Sequence, residues 1–141
     1  QSAGAMMLAK QAGFDLRLVA AESQDLPDSD FYILPSGTGF ETYSQLCWER
    51  LVKRVEAGAT LLLSRGGAAG YSDWERVTGT KIVLYRQARQ VRLLFEGASL
   101  ALDDSHTGLL SSCGGEVVAS DSTGNAVVVR HALGKGKVIA S

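Results

Sequence analysis

Residues 30–67, DFYILPSGTGFETYSQLCWERLVKRVEAGATLLLSRGG, constrain the fold more than any other stretch, because strand, helix and strand follow one another without interruption. Phe31, Tyr32, Ile33 and Leu34 form a short apolar run stopped by Pro35, and Thr60, Leu61, Leu62 and Leu63 form a second that ends in Ser64. Runs apolar on both faces are the mark of strands in a covered parallel sheet. Between them, at about 100° per residue, Ser44, Cys47, Trp48, Leu51, Val52 and Val55 share one arc of a helix, with Gln45, Glu49, Arg50, Lys53, Arg54 and Glu56 opposite. Thr42 with Gln45 predicts a capping box, Glu49 with Lys53 a favourable i,i+4 pair, and Gly58 a left-handed stop. Leu46 falls outside the arc and is expected to pack back on Phe40. The stretch is a parallel βαβ unit.

Upstream, residues 3–12 suit a helix ended by Gly13, and residues 14–20 alternate before turning fully apolar, the pattern of a partly covered strand. A helix ahead of the first strand is out of order for a doubly wound sheet. The expectation is that a first strand lies upstream of Gln1 or is absent, and that the chain is a piece of a larger one. Residues 21–30 are acidic and turn-rich, a surface loop. After the βαβ unit, Ser72 and Glu75 predict a second capping box for a short helix ended by Gly79. Beyond Lys81, short β-type runs at 82–85, 91–95, 100–102, 116–120, 126–130 and 138–140 alternate with turn residues. The linkers 121–125 and 134–136 have hairpin length and composition, so residues 81–141 should add antiparallel strands to one side or edge of the sheet. The fold class is α/β within one domain, with a βαβ-type half at 1–80 and a β-rich half at 81–141.

For 141 residues, 45% hydrophobic and 21% charged residues are the balance of a globular domain with a real core. A net charge of −1 supplies no field for a polyanion, so neither nucleic acid nor an anionic membrane is expected as a partner. Cys47 and Cys113 lie far apart, with Cys47 on the apolar face of a helix, and reduced thiols are expected. No 18-residue apolar run or leader pattern occurs, and a cytoplasmic location is favoured over an upstream signal.

Ligands of open α/β sheets sit at the carboxyl ends of the strands, which singles out Ser36, Gly37, Thr38 and Gly39 after the first central strand and Ser64, Arg65, Gly66 and Gly67 after the second. Backbone N–H groups there can hold an anion or sugar hydroxyls, and the competing reading is that glycine only turns the chain. Neither a complete dinucleotide fingerprint nor a phosphate-loop motif is present, and no cofactor is expected. Tyr71 and Trp74 offer rings to a sugar face; the ordinary alternative for Trp74 is a core anchor. Nucleophilic catalysis lacks a G-x-S-x-G elbow, Cys47 is mid-helix, and Cys113 sits in a glycine-rich loop with no strand expected just before it. His106 and His131 read as structural or exposed. Asp103, Asp104 and His106 form one acidic cluster without a second ligand set, so no metal site is expected. No pair of acids suits glycoside cleavage, and no catalytic residue is assigned.

Gln11 through Leu16, Phe31 through Ser36, Trp48 through Leu51 and Val55 through Ser64 together resemble the class I glutamine amidotransferase-like domain of glycoside hydrolases, notably the trimerisation domain of bacterial β-galactosidases. That domain has an AGFD strand entry, a YILPS strand and a VEAGATLLLS return in this order, then a TG segment matched by Thr78 and Gly79. Val127 through Val138 resembles its closing hairpin. The resemblance implies a flavodoxin-like or amidotransferase-like open sheet. It also implies a non-catalytic accessory or oligomerisation role, with the parent's catalytic barrel or a neighbouring subunit as partner. The family's sugar-cleaving acids lie in a separate barrel. Where an amidotransferase places its nucleophilic cysteine, this chain has Ser64-Arg65-Gly66-Gly67, and no downstream His-x-Glu pair follows, so glutaminase activity is not implied. The alternatives are a hydrolase acting through Cys113 or Ser64, and a small-ligand module using the loops at Ser36 and Ser64.

Overall fold

The computed structural model describes residues 2–20, 23, 25–35, 43–64 and 71–141, with backbone alone at 2–3, 84–91 and 102–110. Helix α1 (Ser2–Gln11) is followed by β1 (Phe31–Leu34), α2 (Gln45–Ala57), β2 (Thr60–Leu63) and the single-turn α3 (Trp74–Thr78). Then come β3 (Thr80–Phe95), β4 (Ala98–Ser112), β5 (Glu116–Asp121), β6 (Ala126–Leu133) and β7 (Gly136–Ala140). The fold is mixed α/β, and among the described residues one seven-stranded sheet has the order β1-β2-β7-β6-β4-β3-β5.

The βαβ unit forms as its sequence requires. β1 and β2 pair in parallel, Phe31 opposite Thr60 and Leu34 opposite Leu63. Cys47, Trp48, Leu51, Val52 and Val55 of α2 are buried in one core with Leu34, Leu61, Leu63 and Val138 of the sheet. Each such side chain taken from water contributes on the order of 1.5–3 kcal/mol before entropy is counted. Ser44 caps α2, its side chain accepting the Cys47 N–H at 3.2 Å, and Gly58 closes it at φ 135°. Thr42 and Phe40, the expected cap and the expected contact of Leu46, lie outside the described residues; Leu46 itself is 55% exposed. Glu49 accepts from the Gln45 amide at 3.1 Å, and among the described residues it makes no ion pair with Lys53. The opposite arc of α2 holds the acidic loop, with Arg50 donating to Ser23 O at 2.5 Å, Arg54 to Leu26 O at 2.9 Å, and Arg54 paired with Asp28.

Four expectations need correction. Residues 14–20 join no strand pair: a strand needs a neighbour to hydrogen-bond, and although Phe14 stacks on Phe31 of β1, ring centroids 5.3 Å apart, none of the seven described strands pairs with them. The capping box of Ser72 and Glu75 does not form, because Asp73 is the N-cap of α3 and its carboxylate is turned away to Trp48 and Arg76. The runs at 82–85 and 91–95 are one continuous strand, β3, hydrogen-bonded along its length to β4 around a turn at Glu96 and Gly97, with an irregularity between Ile82 and Leu84. Finally, the C-terminal strands do not all add antiparallel at an edge. β7 enters the sheet beside β2 and parallel to it, Leu61 opposite Val138, while its other side takes β6 antiparallel.

The hairpins at 121–125 and 134–135 are present, joining β5 to β6 and β6 to β7. The second packs onto the end of α2, Lys135 N–H donating to Glu56 O at 3.0 Å, and a Cβ on Gly134 would lie 2.6 Å from that same oxygen. Backbone approaching backbone this closely admits only glycine. The long β3–β4 hairpin curls so that Leu93 and Leu94 pair with Asp121 and Ser120 of β5, while Leu110 near its base pairs with Ala126 of β6.

Candidate functional site

The carboxyl ends of β1 and β2 lie side by side, as the parallel pairing demands. Ser64 N–H donates to Leu34 O at 3.1 Å, and on the other flank Ser141 donates to Leu63 O through its N–H at 2.9 Å and its hydroxyl at 3.3 Å. Ser64 is exposed there. Of the other residues singled out at this end, Ser36, Gly37, Thr38, Gly39, Arg65, Gly66 and Gly67 lie outside the described residues.

An aromatic stack built on α2 packs in the same core as Leu34 and Leu63. Trp48 lies flat on Tyr71, ring centroids 4.4 Å apart and planes within 5°, and next to Trp74 at 6.0 Å and 13°. Trp48, Tyr71 and Trp74 are all buried. Trp74 is thus the core anchor of the two readings open to it. The Tyr71 hydroxyl donates to Tyr43 O at 2.7 Å, and the Tyr43 hydroxyl donates to Pro35 O at 2.6 Å, so the chain leaving β1 is tied through two tyrosines to the chain entering α3. Burial pushes the Tyr71 phenol up to about 12, with smaller contributions from Cys47 and Tyr43. It stays neutral, a hydrogen-bond donor and no base, across ordinary pH.

Asp73 is the charged group of this region. Its carboxylate accepts the Trp48 indole N–H at 2.7 Å and Arg76 at 2.8 Å, and Arg76 also reaches Glu56 at 3.1 Å. Burial works to raise the Asp73 carboxyl, but the hydrogen bonds from Trp48 and Arg76 outweigh it and hold it below the ordinary value. The Trp74 indole N–H is buried with no hydrogen-bond partner among the described residues. The chain sequence signals Asp73 only by its place between a serine and a tryptophan, and periodicity gave no reason to prefer it to Ser72 as the cap.

The nucleophile candidates are apart. Cys47 is buried on α2, and Cys113 is exposed. The structure corrects the surroundings of Cys113: β4 runs up to Ser112, so a strand does precede it. Its N–H donates to Gly79 O at 2.7 Å and its thiol lies 3.8 Å from Ser111 O. The His131 ring packs against the same Gly79, where a Cβ would lie 2.5 Å from Nδ1. Among the described residues no group of three His, Cys, Asp or Glu side chains is arranged to hold a metal ion. No described helix is long and apolar enough to cross a membrane.

A second built polar cluster sits at the β5–β6 hairpin. Asp121 is 3% exposed, and its carboxylate accepts the N–H groups of Thr123 and Asn125, both at 2.9 Å, the Thr123 hydroxyl at 2.7 Å and the Asn125 amide at 3.0 Å. Burial opposes ionisation, yet Asn125 and Thr123 bring the carboxyl down to about 2. Every donor comes from the hairpin itself, so the cluster fixes the β5–β6 turn.

No family model matches the chain, and no curated protein matches it in sequence. Solved structures do match in shape. An exo-β-1,4-mannosidase from Opitutaceae bacterium strain TAV5 aligns over 96% of this chain and 24% of its own, at 20% identity and a TM-score of 0.75. A GH42 β-galactosidase from G. stearothermophilus aligns over 79% of this chain and 18% of its own, at 16% identity and a TM-score of 0.69. A cytoplasmic protein from Salmonella typhimurium aligns over 96% of this chain and 72% of its own, at 14% identity and a TM-score of 0.70. The likeness is one of fold. Against the two glycoside hydrolases, the chain spans a quarter of their length or less.

Proposed function

We propose that this chain is a non-catalytic accessory domain of a glycoside hydrolase of β-galactosidase type, amidotransferase-like in fold, which packs on the catalytic barrel or on a neighbouring subunit. The observation that carries this reading is the match of nearly the whole chain to a minor part of much larger sugar-cleaving enzymes. The interior of the candidate site agrees with it. The aromatic rings that a sugar would stack on are spent on one another in the Trp48, Tyr71 and Trp74 stack, and the charge of Asp73 is spent on Trp48 and Arg76. Outside, Leu94, Phe95 and Leu100 are exposed around the closed end of the β3–β4 hairpin, apolar surface of the kind assembly faces use.

The experiment is removal of residues 1–141 from the parent enzyme, followed by light scattering and sugar turnover. Loss of assembly or of turnover is expected, and a truncated enzyme unchanged in both would overturn the role. A second reading draws on the Salmonella protein, of which the matched region is most of the chain: a free-standing small-ligand module using the loops after β1 and β2. Saturable quenching of tryptophan fluorescence by monosaccharides or nucleotides would favour it. Glutamine and ester hydrolysis by the chain alone, lost on Cys113→Ala or Ser64→Ala, would instead make it an enzyme.

A further inference from the structure

Among the described residues the β3–β4 hairpin pairs with other strands at its base and near its tip, and nowhere between. At the base, Leu110 of β4 lies between Ile82 of β3 and Ala126 of β6, and Ile82 packs on the buried pair Ala126 and Val129. Near the tip, Leu93 and Leu94 of β3 lie opposite Asp121 and Ser120 of β5. Because β5 also pairs with β6, the strands β3, β4, β6 and β5 close on themselves, and the contact near the tip completes the ring.

That contact rests on a single hydrogen-bonded residue pair. Glu96 and Gly97, at φ 48° and 80°, make a two-residue turn, so the closing pair Phe95 and Ala98 exchange both backbone hydrogen bonds. Alternation then points the N–H and C=O of Leu94 away from β4, toward β5. On β5, Asp121 directs both its groups into its own turn, its N–H donating to Asn125 O at 2.9 Å and its carbonyl accepting from Gly124 at 3.0 Å. Those of Ser120 therefore face the other way, toward Leu94. Side-chain packing adds little, since Leu94, Phe95 and Leu100 are exposed. Nor does β5 depend on the contact: the β6 ladder, the pairing of Glu116 with Arg130 and the Asp121 turn hold it. Just beyond the anchored base, the register passes from Ile82 opposite Leu110 to Leu84 opposite Leu109, leaving Val83 as an extra, exposed residue. Such a bulge bends its strand.

We propose that the hairpin beyond Val83 is a hinged arm, which swings as a unit about that bulge and is latched to β5 in its closed position by Leu94 and Ser120. Opening uncovers two strand edges at once, the N–H and C=O of Ser120 on β5 and those of Leu94 on the arm, and leaves the β3–β4 and β5–β6 ladders whole. The inference stands whatever enzyme the domain belongs to.

Native-state amide hydrogen exchange reads the latch against its neighbours, because Ser120 N–H faces the arm and Asp121 N–H faces the turn. Leu94 and Ser120 should share one protection factor, at least tenfold, on the order of a local opening, below those of Asp121 and of Leu93 and Leu100, which pair with each other inside the arm. The double variant Leu94→Cys, Ser120→Cys, made with Cys113→Ala and oxidised, should abolish the difference at positions 94 and 120, and reduction should restore it. Across a hydrogen-bonded antiparallel pair the Cα atoms stand about 5.5 Å apart, within disulfide reach. Leu94→Pro removes only the outward N–H, and should free Ser120 while Asp121 stays protected. Equal protection at Leu94, Ser120 and Asp121 in the unsubstituted protein would overturn the proposal. So would Leu93 and Leu100 exchanging as fast as the latch, since the hairpin would then melt rather than swing, or a disulfide that leaves exchange at position 120 unchanged.

Discussion

Trp48 Nε1 and Asp73 Oδ1 are 2.7 Å apart, a hydrogen bond between the first turn of α2 and the cap of α3. One carboxylate thereby orients the central ring of the aromatic stack and, through Arg76, reaches the last turn of α2 at Glu56. Replacing Asp73 with Ala strands a buried indole N–H and frees Arg76, and should cost about 1–3 kcal/mol in urea unfolding at pH 7. Because the folded carboxyl titrates below its ordinary value of 3.8, its stabilisation is complete above that pH and drains away as the pH falls through the lower folded value. Asp73→Asn should therefore lose less stability than the wild type on going from pH 4 to lower pH.

The same sign applies more strongly to Asp121, held at about 2. Its contribution is intact above about pH 4 and is lost between there and pH 2. Asp121→Ala leaves four donors of the β5–β6 turn without their acceptor and should destabilise by roughly 2–3 kcal/mol, the range for hydrogen bonds to a charged group. Thermal melts at pH 7 and pH 2.5 check both statements: the two proteins should differ widely at the first and little at the second.

Tyr71 gives the opposite slope. Its phenol is raised to about 12, so the neutral form stabilises the fold fully below pH 10 and that contribution is lost as the pH climbs toward 12. Absorbance at 295 nm should show this tyrosine ionising only together with unfolding. A Tyr71→Phe chain that kept the same alkaline loss of stability would remove Tyr71 as its cause.

Gly79 closes α3 at φ 64°, with the His131 ring and Gly115 N lying 2.5 and 2.8 Å from where a Cβ would stand. Gly79→Ala therefore meets both an unfavourable backbone region and an overpacked neighbour, each worth about 1–3 kcal/mol. Gly58, at φ 135° and ψ −6°, has open space around it but lies outside the left-handed helical region, so Gly58→Ala should destabilise through the backbone alone, whereas Gly79→Ala adds the crowding. Unfolding midpoints of the two variants give the comparison.

How much of this was legible depended on how local the cause was. The face of α2, its stop at Gly58 and the short hairpins follow from residues within a turn or two of each other, and Cys47, Trp48, Leu51, Val52 and Val55 are buried as their spacing requires. The place of β7 is not local: nothing in GKVIA distinguishes an edge strand from one slotted beside β2, since both want apolar residues. Residues 14–20 failed for a related reason. Their alternation fits a strand, but a strand is a property of two segments, and among the described residues no segment pairs with them. At the candidate site, Ser64 stands at the strand end as expected, whereas the ring of Tyr71 is drawn into the core by Trp48, a contact that sequence separation conceals.

Leu63 and Ser141 are hydrogen-bonded across 78 positions of sequence, because β7 is the strand that joins the parallel half of the sheet to the antiparallel half. A chain still being made would have β2 waiting, its free edge bare, until residues 136–140 had been synthesised, and only then could the two halves lock. Folding of this domain should accordingly be slow for its size, and removing residues 136–141 should do more harm than shortening an exposed loop by as much.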